Sequence, residues 1–541
     1  MSNEFVARRR KFLHAIGAGG MAAMLPSSVR SADPALSSAY ASLGQRNQVN
    51  QHDKDFGFYE KCCVGTREWQ LTDPAEDREI EGYASAPSVN LDEAIRFYVN
   101  VNTRGRRGWP ADYTIEIFRL GWYGGEGGLR VTDPTWINGI AQPSPTLDAQ
   151  TGLIECRWRS QLSLVPRKQR NYKDRWTSGM YVAKLTEIAS GKQSYIRFVV
   201  RDDKREPNLL FQSSVTTDQC YNEWGGKSVY HSATGDNSPA VKVSFNRPYG
   251  LTAHGNQDTH GLGIGFQWEY PMVRFLEREG YDVAYTTNVD IHRDPRQLFN
   301  SGAFLSVGHD EYWTYQLRVH VEAARDRGIN LGFFGSNTCY WQIRFEPSPH
   351  TGRATDTIVA YKYRALRENP TDPVFDPYSE YAGLKHLTTT LWRDPFFDDV
   401  RHALGPENAL VGVMYYFYPV DGDMVVDNPT HWLFDGTGLR RGDVLPGLLG
   451  YEVDRVFDNE SSPPDLVRLC HSGPTPRFPG DPGQPYSDMT IYTARSGAMV
   501  FASGTNQWPW GLDGCCVEPS RENPAAQRMT RNLLDRFIAR Q

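Results

Sequence analysis

The sequence predicts an α+β protein of more than one domain: an N-terminal β-sandwich of immunoglobulin-like type, then an α/β domain. Three observations predict it. The chain has 541 residues, more than one ordinary core serves. Residues 78–205 carry short runs that alternate at period two, separated by turns. From 206 to 541, short apolar strands alternate with amphipathic helical patterns.

The elements follow in order. Residues 33–77 read as an extended arm. "IRFYVNVNT" and "YTIEIFRLGWYGG" alternate strictly, and the second ends in a Gly-Gly turn. "GLIECRWRS", "SGMYVAKLTEI" and "QSYIRFVVRD" continue the series, the texture of a sandwich. "NLLFQSS" (208–214) then reads as a buried strand, and "YPMVRFLEREG" (270–280) as a helix stopped at Gly280. "YDVAYTT", "AFLSVG" and "INLGFFGSN" read as strands, and "YWTYQLRVHVEAARDRG" as a helix ending at Gly328. Such alternation predicts a parallel sheet with crossover helices. The Pro-, Asp- and Arg-rich stretch 346–400 reads as a long excursion. Segments 409–418, 467–470 and 489–508 look like later strands, and "PAAQRMTRNLLDRFIARQ" a C-terminal helix.

A net charge of −6 with interspersed signs argues against nucleic acid as a partner. At the N-terminus, "RRRKFLHAIGAGGMAAMLPSSVRSADP" has a cationic start, an apolar Gly/Ala-rich stretch and then small residues. Arg9-Arg10-Lys11-Phe12-Leu13 resembles a twin-arginine export signal, with 1–32 as the signal peptide. Periplasmic or secreted placement of an already folded protein is therefore expected, with no membrane attachment after cleavage. Of eight cysteines, Cys62-Cys63 and Cys515-Cys516 are vicinal pairs; no CxxC or zinc spacing occurs.

In open α/β sheets, ligands bind beyond the carboxyl ends of the strands. "VGHDEYW", "GSNTCYWQIR" and "SSVTTDQCYNEWGGKSVY" all fall at such ends. In the first, His309 and Glu311 are the pair most able to face one way, as metal ligands or as a general base with its orienting carboxylate. Asp310 reads as a helix N-cap, and Tyr312 and Trp313 as packing. Tyr221 and Tyr230 are either packing residues or phenolate ligands. A phenol of pKa about 10 ionises at neutral pH only beside a strong Lewis acid. Two tyrosines with a carboxylate therefore favour a trivalent ion such as Fe(III). Asn337 is suited to orient a carbonyl or a water. Glu452, after a Gly-rich turn, is either a second base or a surface acid. The α/β half is expected to be glutamine-amidotransferase-like (flavodoxin-like), a fold that places a nucleophilic Cys on a sharp turn. Cys339 lies beyond that elbow position, and it and Ser336 remain competing nucleophiles. Arg247 and Arg344 read as structural pairs for acids.

"IFRLGWYGGEGGLRV", "SGMYVAKL", "CYNEWGGKSVY", "VSFNRPYG", "FLEREGYDVAYTTNVD", "SVGHDEYWT" and "GFFGSNTCYWQIR" together resemble the N,N-dimethylformamidase large (β) subunit family. The resemblance implies an amidohydrolase with a mononuclear iron held by Glu311, Tyr230 and Tyr221. It implies that His309, Asn337 and Glu452 serve catalysis, and that a small amide is the substrate. A small partner subunit and a homo-oligomer are expected with it. The export signal departs from the family, for which a cytoplasmic enzyme is implied. Two alternatives stand: an exported binding protein without catalysis, and an amidase dependent on Cys339.

Overall fold

The computed structural model describes residues 64–102, 110–167, 176–235, 238–254, 257–367, 374–395, 404–473 and 486–539. The expected signal peptide, most of the arm and Cys62-Cys63 lie outside the described residues. The architecture is mixed α+β. Two sheets form the N-terminal part. One orders Ile80–Ala84, Ile95–Val101 and Leu162–Leu164. The other orders Ser88–Asn90, Gln193–Arg201, Gly179–Glu187, Tyr113–Leu120 and Gly128–Arg130. The predicted strand at 152–160 shrinks to Ile154–Glu155, which pairs with Thr146–Leu147 outside both sheets.

The period-two pattern explains how this part is held. Tyr181, Ala183 and Leu185 share a core with Ile115, Ile117, Ile196, Phe198, Phe97 and Val99 from both sheets. Their neighbours Met180 and Val182, with Phe118, Leu120 and Val199, join the main core instead. Alternate residues point to opposite faces, so the larger sheet is buried on both. Its second face packs on the α/β part through Met272, Val273 and Leu276 of the helix Phe266–Arg278.

The α/β part is built on a seven-stranded sheet. Its order is Val283–Thr287, Leu209–Ser213, Ala303–His309, Asn330–Ser336, Met499–Ala502, Ser487–Thr493, Val467–Ser472. The expected parallel pairing holds for the first five strands. The last two are antiparallel, so the sheet is mixed. The reason is local: Ser487–Thr493 and Met499–Ala502 are joined by a turn, which permits only antiparallel pairing. The excursion contributes to a separate four-stranded sheet of Lys242–Ser244, Thr357–Val359, Trp341–Glu346 and Tyr312–Thr314. A long hairpin pairs Met414–Val425 with Val444–Arg455.

The helix after "HDEYW" starts later than the pattern predicts. Tyr312–Thr314 pairs as a strand with Trp341–Ile343, and the helix runs Tyr315–Asp326. Its N-cap is Thr314, whose hydroxyl accepts from the Leu317 N–H at 3.1 Å. Asp310 is therefore not the cap. Among the described residues, no helix is long and apolar enough to cross a membrane.

Candidate active site

Three neighbouring parallel strands, Leu209–Ser213, Ala303–His309 and Asn330–Ser336, end on one edge of the sheet, with His309 opposite Ser336. Each apolar strand gives way there to polar residues. After the first, the short helix Val215–Tyr221 carries Tyr221 at its end, and the following loop carries Tyr230. After the second come Asp310 and Glu311, and after the third Asn337. Gly308 sits at φ +72°, and a Cβ there would lie 2.6 Å from the Trp268 side chain. Only glycine lets the strand pass Trp268 at this point and deliver His309 inward. The strand ends are tied together: Cys339 N–H donates to the Asp310 carbonyl, and Tyr340 and Trp341 N–H to that of Glu311, each at 2.9 Å.

The side chains converge on Glu311, which is buried. Tyr221 Oη donates to its Oε2 at 2.9 Å, and Tyr230 Oη to its Oε1 at 2.8 Å. His309 Nε2 lies 3.3 Å from Glu311 Oε2 and 3.0 Å from Glu452 Oε2. Asn337 Nδ2 donates to Glu452 Oε2 at 2.7 Å. The six residues predicted for the site are thus brought together. Glu452 arrives on the hairpin strand Val444–Arg455 and is buried, so it is no surface acid. Asn337 holds the left-handed conformation, φ 55°, which asparagine tolerates better than most residues.

The electrostatics follow from burial and charge crowding. Burial raises the Glu311 carboxyl above its ordinary value, His309 opposes that shift, and Glu452 adds to it. For His309, burial works downward, but Glu452 and then Glu311 lift the imidazole to about 9. Among the described residues, two buried atoms of these six side chains have no hydrogen-bond partner: His309 Nδ1 and Asn337 Oδ1. As placed, the Asn337 nitrogen is taken by Glu452. Its remaining atom is an acceptor, suited to a water, one of the two partners the sequence suggested, or to an amide N–H, but not to a carbonyl.

The other candidates lie elsewhere. Cys339 is fully buried in an apolar cluster with Trp313, Leu317 and Trp392, its sulfur accepting from Arg318 Nη1 at 3.3 Å. Burial pushes its thiol up to about 12 even beside Arg318, the wrong direction for a nucleophile. Ser336 donates to Asp454 at 2.6 Å. Arg344 pairs with Asp376 and Glu346, as expected of a structural arginine. Arg247 differs: it binds the carbonyls of Gln219, Asn222, Trp224 and Lys227 and so braces the loop between the two tyrosines.

Three contributors were not placed in the site by the sequence, and one of them, Tyr312, read there as packing. Tyr312 Oη donates to Tyr230 Oη at 2.5 Å; only its place in "HDEYW" signalled it. Lys362 Nζ lies 3.4 Å from the Tyr230 ring centroid, delivered by the excursion 346–400. Asp454 accepts from Ser336 Oγ and from the Asn337 N–H at 2.8 Å, fixing the turn. Asp310 also changes role. It accepts from Gln212 at 2.7 Å and from Asn288 and Ser306 at 2.8 Å, anchoring the segment between His309 and Glu311.

Residues 114–523 match the profile of a family described as N,N-dimethylformamidase beta subunit-like, C-terminal. The chain belongs to this family. The motifs that build the candidate site, from "CYNEWGGKSVY" to Glu452, all fall within the matched residues. No curated protein matches the chain. Among solved structures, it is similar over 23% of its length to Pseudomonas fluorescens alkylpurine DNA glycosylase AlkC bound to DNA containing an abasic site analog. That match covers 30% of the glycosylase chain at 12% identity and a TM-score of 0.15, and it carries no argument about this dimethylformamidase-family chain.

The donor set can be tested against iron. Among the described residues, no group of three or more His, Cys, Asp or Glu is placed to hold a metal. The set here is of another class: two phenol oxygens and one carboxylate, all hard oxygen donors. Both phenols donate to the carboxylate, so each phenol oxygen already lies within 2.9 Å of a Glu311 oxygen. Hard, ionisable oxygen ligands suit a trivalent cation, which compensates three anions. The residues fit the group.

Proposed function

We propose that this dimethylformamidase-family chain hydrolyses the C–N bond of a small amide, with Tyr221, Tyr230 and Glu311 holding a mononuclear iron, Fe(III). The observation that carries the reading is the convergence of two phenols and one imidazole on a single buried carboxylate. Bound there, the ion would supply Lewis acidity toward an amide carbonyl and a water. The remaining chemistry belongs to the chain. Glu452, held by Asn337 and His309, takes a proton from the attacking water. His309, with two carboxylates against its Nε2, holds a proton there and delivers it to the leaving amine. Asn337 Oδ1 accepts from the amide N–H or the water and so orients it. Trp268, edge-on to His309 at 6.0 Å between ring centroids, shields the imidazole from solvent.

The finer fold belongs to the same reading: an immunoglobulin-like sandwich over 78–205 and a glutamine-amidotransferase-like (flavodoxin-like) catalytic domain over 206–541. So do export to the periplasm by the 1–32 twin-arginine signal, a small partner subunit and a homo-oligomer. The buried, fully engaged Cys339 argues against a Cys-dependent amidase. The convergent tyrosines argue against a binding protein without catalysis.

The test is elemental analysis and visible spectroscopy of purified protein. Stoichiometric iron with a tyrosinate-to-iron charge-transfer band is expected. Glu311→Ala should abolish both, together with hydrolysis of a panel of small formamides. Metal-free protein whose properties Glu311→Ala leaves unchanged would sink the proposal.

A further inference from the structure

We propose that Cys515 and Cys516 form a reversible vicinal dithiol–disulfide site, a modification site separate from the amide-hydrolysing centre. Adjacent side chains on a strand point to opposite faces, and adjacent cysteines there cannot meet. Here both thiols are free, and their sulfurs lie 2.9 Å apart. They occupy a turn between the short helical turn Trp508–Gly511 and the helix Pro524–Ile538.

The fold holds that turn in shape. Cys515 N–H donates to Asp513 Oδ1 at 3.1 Å, and the same buried oxygen accepts from Arg274 Nε at 2.9 Å. The loop then doubles back. A Cβ on Gly514 would lie 2.0 Å from Ser520 Oγ, so nothing larger than glycine fits without a shift. The two sulfurs differ in surroundings: Cys515 is exposed, while Cys516 is partly buried against the main core. One sulfur is open to an external reagent, and the other is fixed beside it.

Chemistry makes such a bond reversible rather than a permanent staple. Consecutive Cα atoms are about 3.8 Å apart, below the roughly 4.4–6.8 Å that disulfides adopt. The ring that closes through the intervening peptide bond is strained, and strained, exposed disulfides are the readily reduced ones. The oxidant is a small-molecule disulfide, RSSR. Burial and the neighbouring Cys516 thiol hold the Cys515 thiol above its ordinary value, so only a minor thiolate fraction reacts: it attacks one sulfur, forming a mixed disulfide and releasing RS⁻. The Cys516 thiolate then attacks the Cys515 sulfur, closing the Cys515–Cys516 bond and releasing a second RS⁻. The two thiol protons end on the two released thiols. The protein pair is oxidised by two electrons and RSSR is reduced to two RSH.

The test treats the full-length protein with oxidised glutathione, blocks residual thiols with N-ethylmaleimide and maps the peptides by mass spectrometry. The expected product is a 515–516 peptide lighter by two hydrogens and carrying no label, with both labels restored after dithiothreitol. Cys516→Ser should instead keep a glutathione adduct on Cys515. Phenylarsine oxide, which bridges two close thiols, should bind the reduced wild type and be lost in Cys516→Ser. A link from either residue to Cys62 or Cys63 would overturn the proposal, as would a persistent glutathione adduct on the wild type or two unreacted thiols.

Discussion

At the scale of single residues, the candidate site depends on buried carboxylates whose partners decide their charge. Asp454 is the instructive one, because it touches the Ser336–Asn337 turn and not the proposed ligands. Burial raises its carboxyl from 3.8 to about 7, against the pull of its two hydrogen bonds and helped by Glu452. The folded state therefore holds this proton more tightly than the unfolded chain, where a carboxyl titrates near 3.9. Its contribution to stability is full below about 4 and is lost as pH rises towards 7. Asp454→Asn keeps an oxygen to accept both hydrogen bonds but cannot ionise. Its urea-unfolding free energy should fall less steeply between pH 4.5 and 7, by as much as about 1.4 kcal/mol per pH unit, the slope of one proton. Identical slopes in both proteins would show that Asp454 is ionised in the native state throughout. The sequence made Glu311 and His309 visible because a carboxylate and an imidazole at a strand end are informative, whereas Glu452 stood there only as an acid after a Gly-rich turn. Asp454 was hidden, since nothing in "YEVDR" distinguishes a buried acid from a surface one. Asp310 was misread for a related reason: an acid before a helical pattern looks like a cap until another strand intervenes.

At the scale of elements, the helix Val215–Tyr221 shows how a ligand-bearing segment is held in place. It has seven residues, all buried, and is too short to be stable alone. What fixes it is Arg197, from the N-terminal strand Gln193–Arg201. Its guanidinium donates to Asp218 at 2.8 Å, to Ser213 at 2.6 Å and to Glu269. Burial raises Asp218 to about 7 while Arg197 pulls it down, so the arginine is what makes the cluster tolerable. Arg197→Met should leave two buried acids without a cation and cost about 3–5 kcal/mol in urea unfolding. Adding Asp218→Asn and Glu269→Gln to it should return most of that loss. A triple variant no more stable than Arg197→Met would locate the cost in packing, not charge. Arg197 lies 16 or more residues from each of these partners, so no local pattern announced the cluster. The strands themselves were legible, because period-two alternation and Gly stops are local. The antiparallel edge of the large sheet was not, because pairing direction depends on how the strands are joined.

At the scale of the whole molecule, the N-terminal part has a core of its own but shares a second, larger one with the α/β part. Phe118, Leu120, Met180, Val182 and Val199 from the N-terminal part lie in one apolar cluster with Phe211, Met272, Leu276 and Leu305 from the α/β part. Buried ion pairs cross the same boundary, Arg119 with Glu277 at 2.7 Å and Arg201 with Asp290 at 2.5 Å. The sequence marks two textures with a change near residue 206, and it is natural to read two independent bodies from that change. The both-face burial of "SGMYVAKLTEI" says otherwise, since a free-standing sandwich would leave one face of that strand to water. The cross-boundary charges also bear on function, because Arg197 reaches the helix that carries Tyr221. A fragment of residues 206–541 would expose the apolar face that the N-terminal sheets cover and leave Glu277, Asp290, Asp218 and Glu269 without their arginines. Full-length protein should therefore unfold in one calorimetric transition, with calorimetric and van't Hoff enthalpies in agreement. The fragment should aggregate, or bind a hydrophobic dye such as ANS, and should fail to retain iron even though it contains all three proposed ligands. A soluble, monomeric, iron-loaded fragment would show that the sandwich is an accessory domain and that the shared core is not what shapes the site.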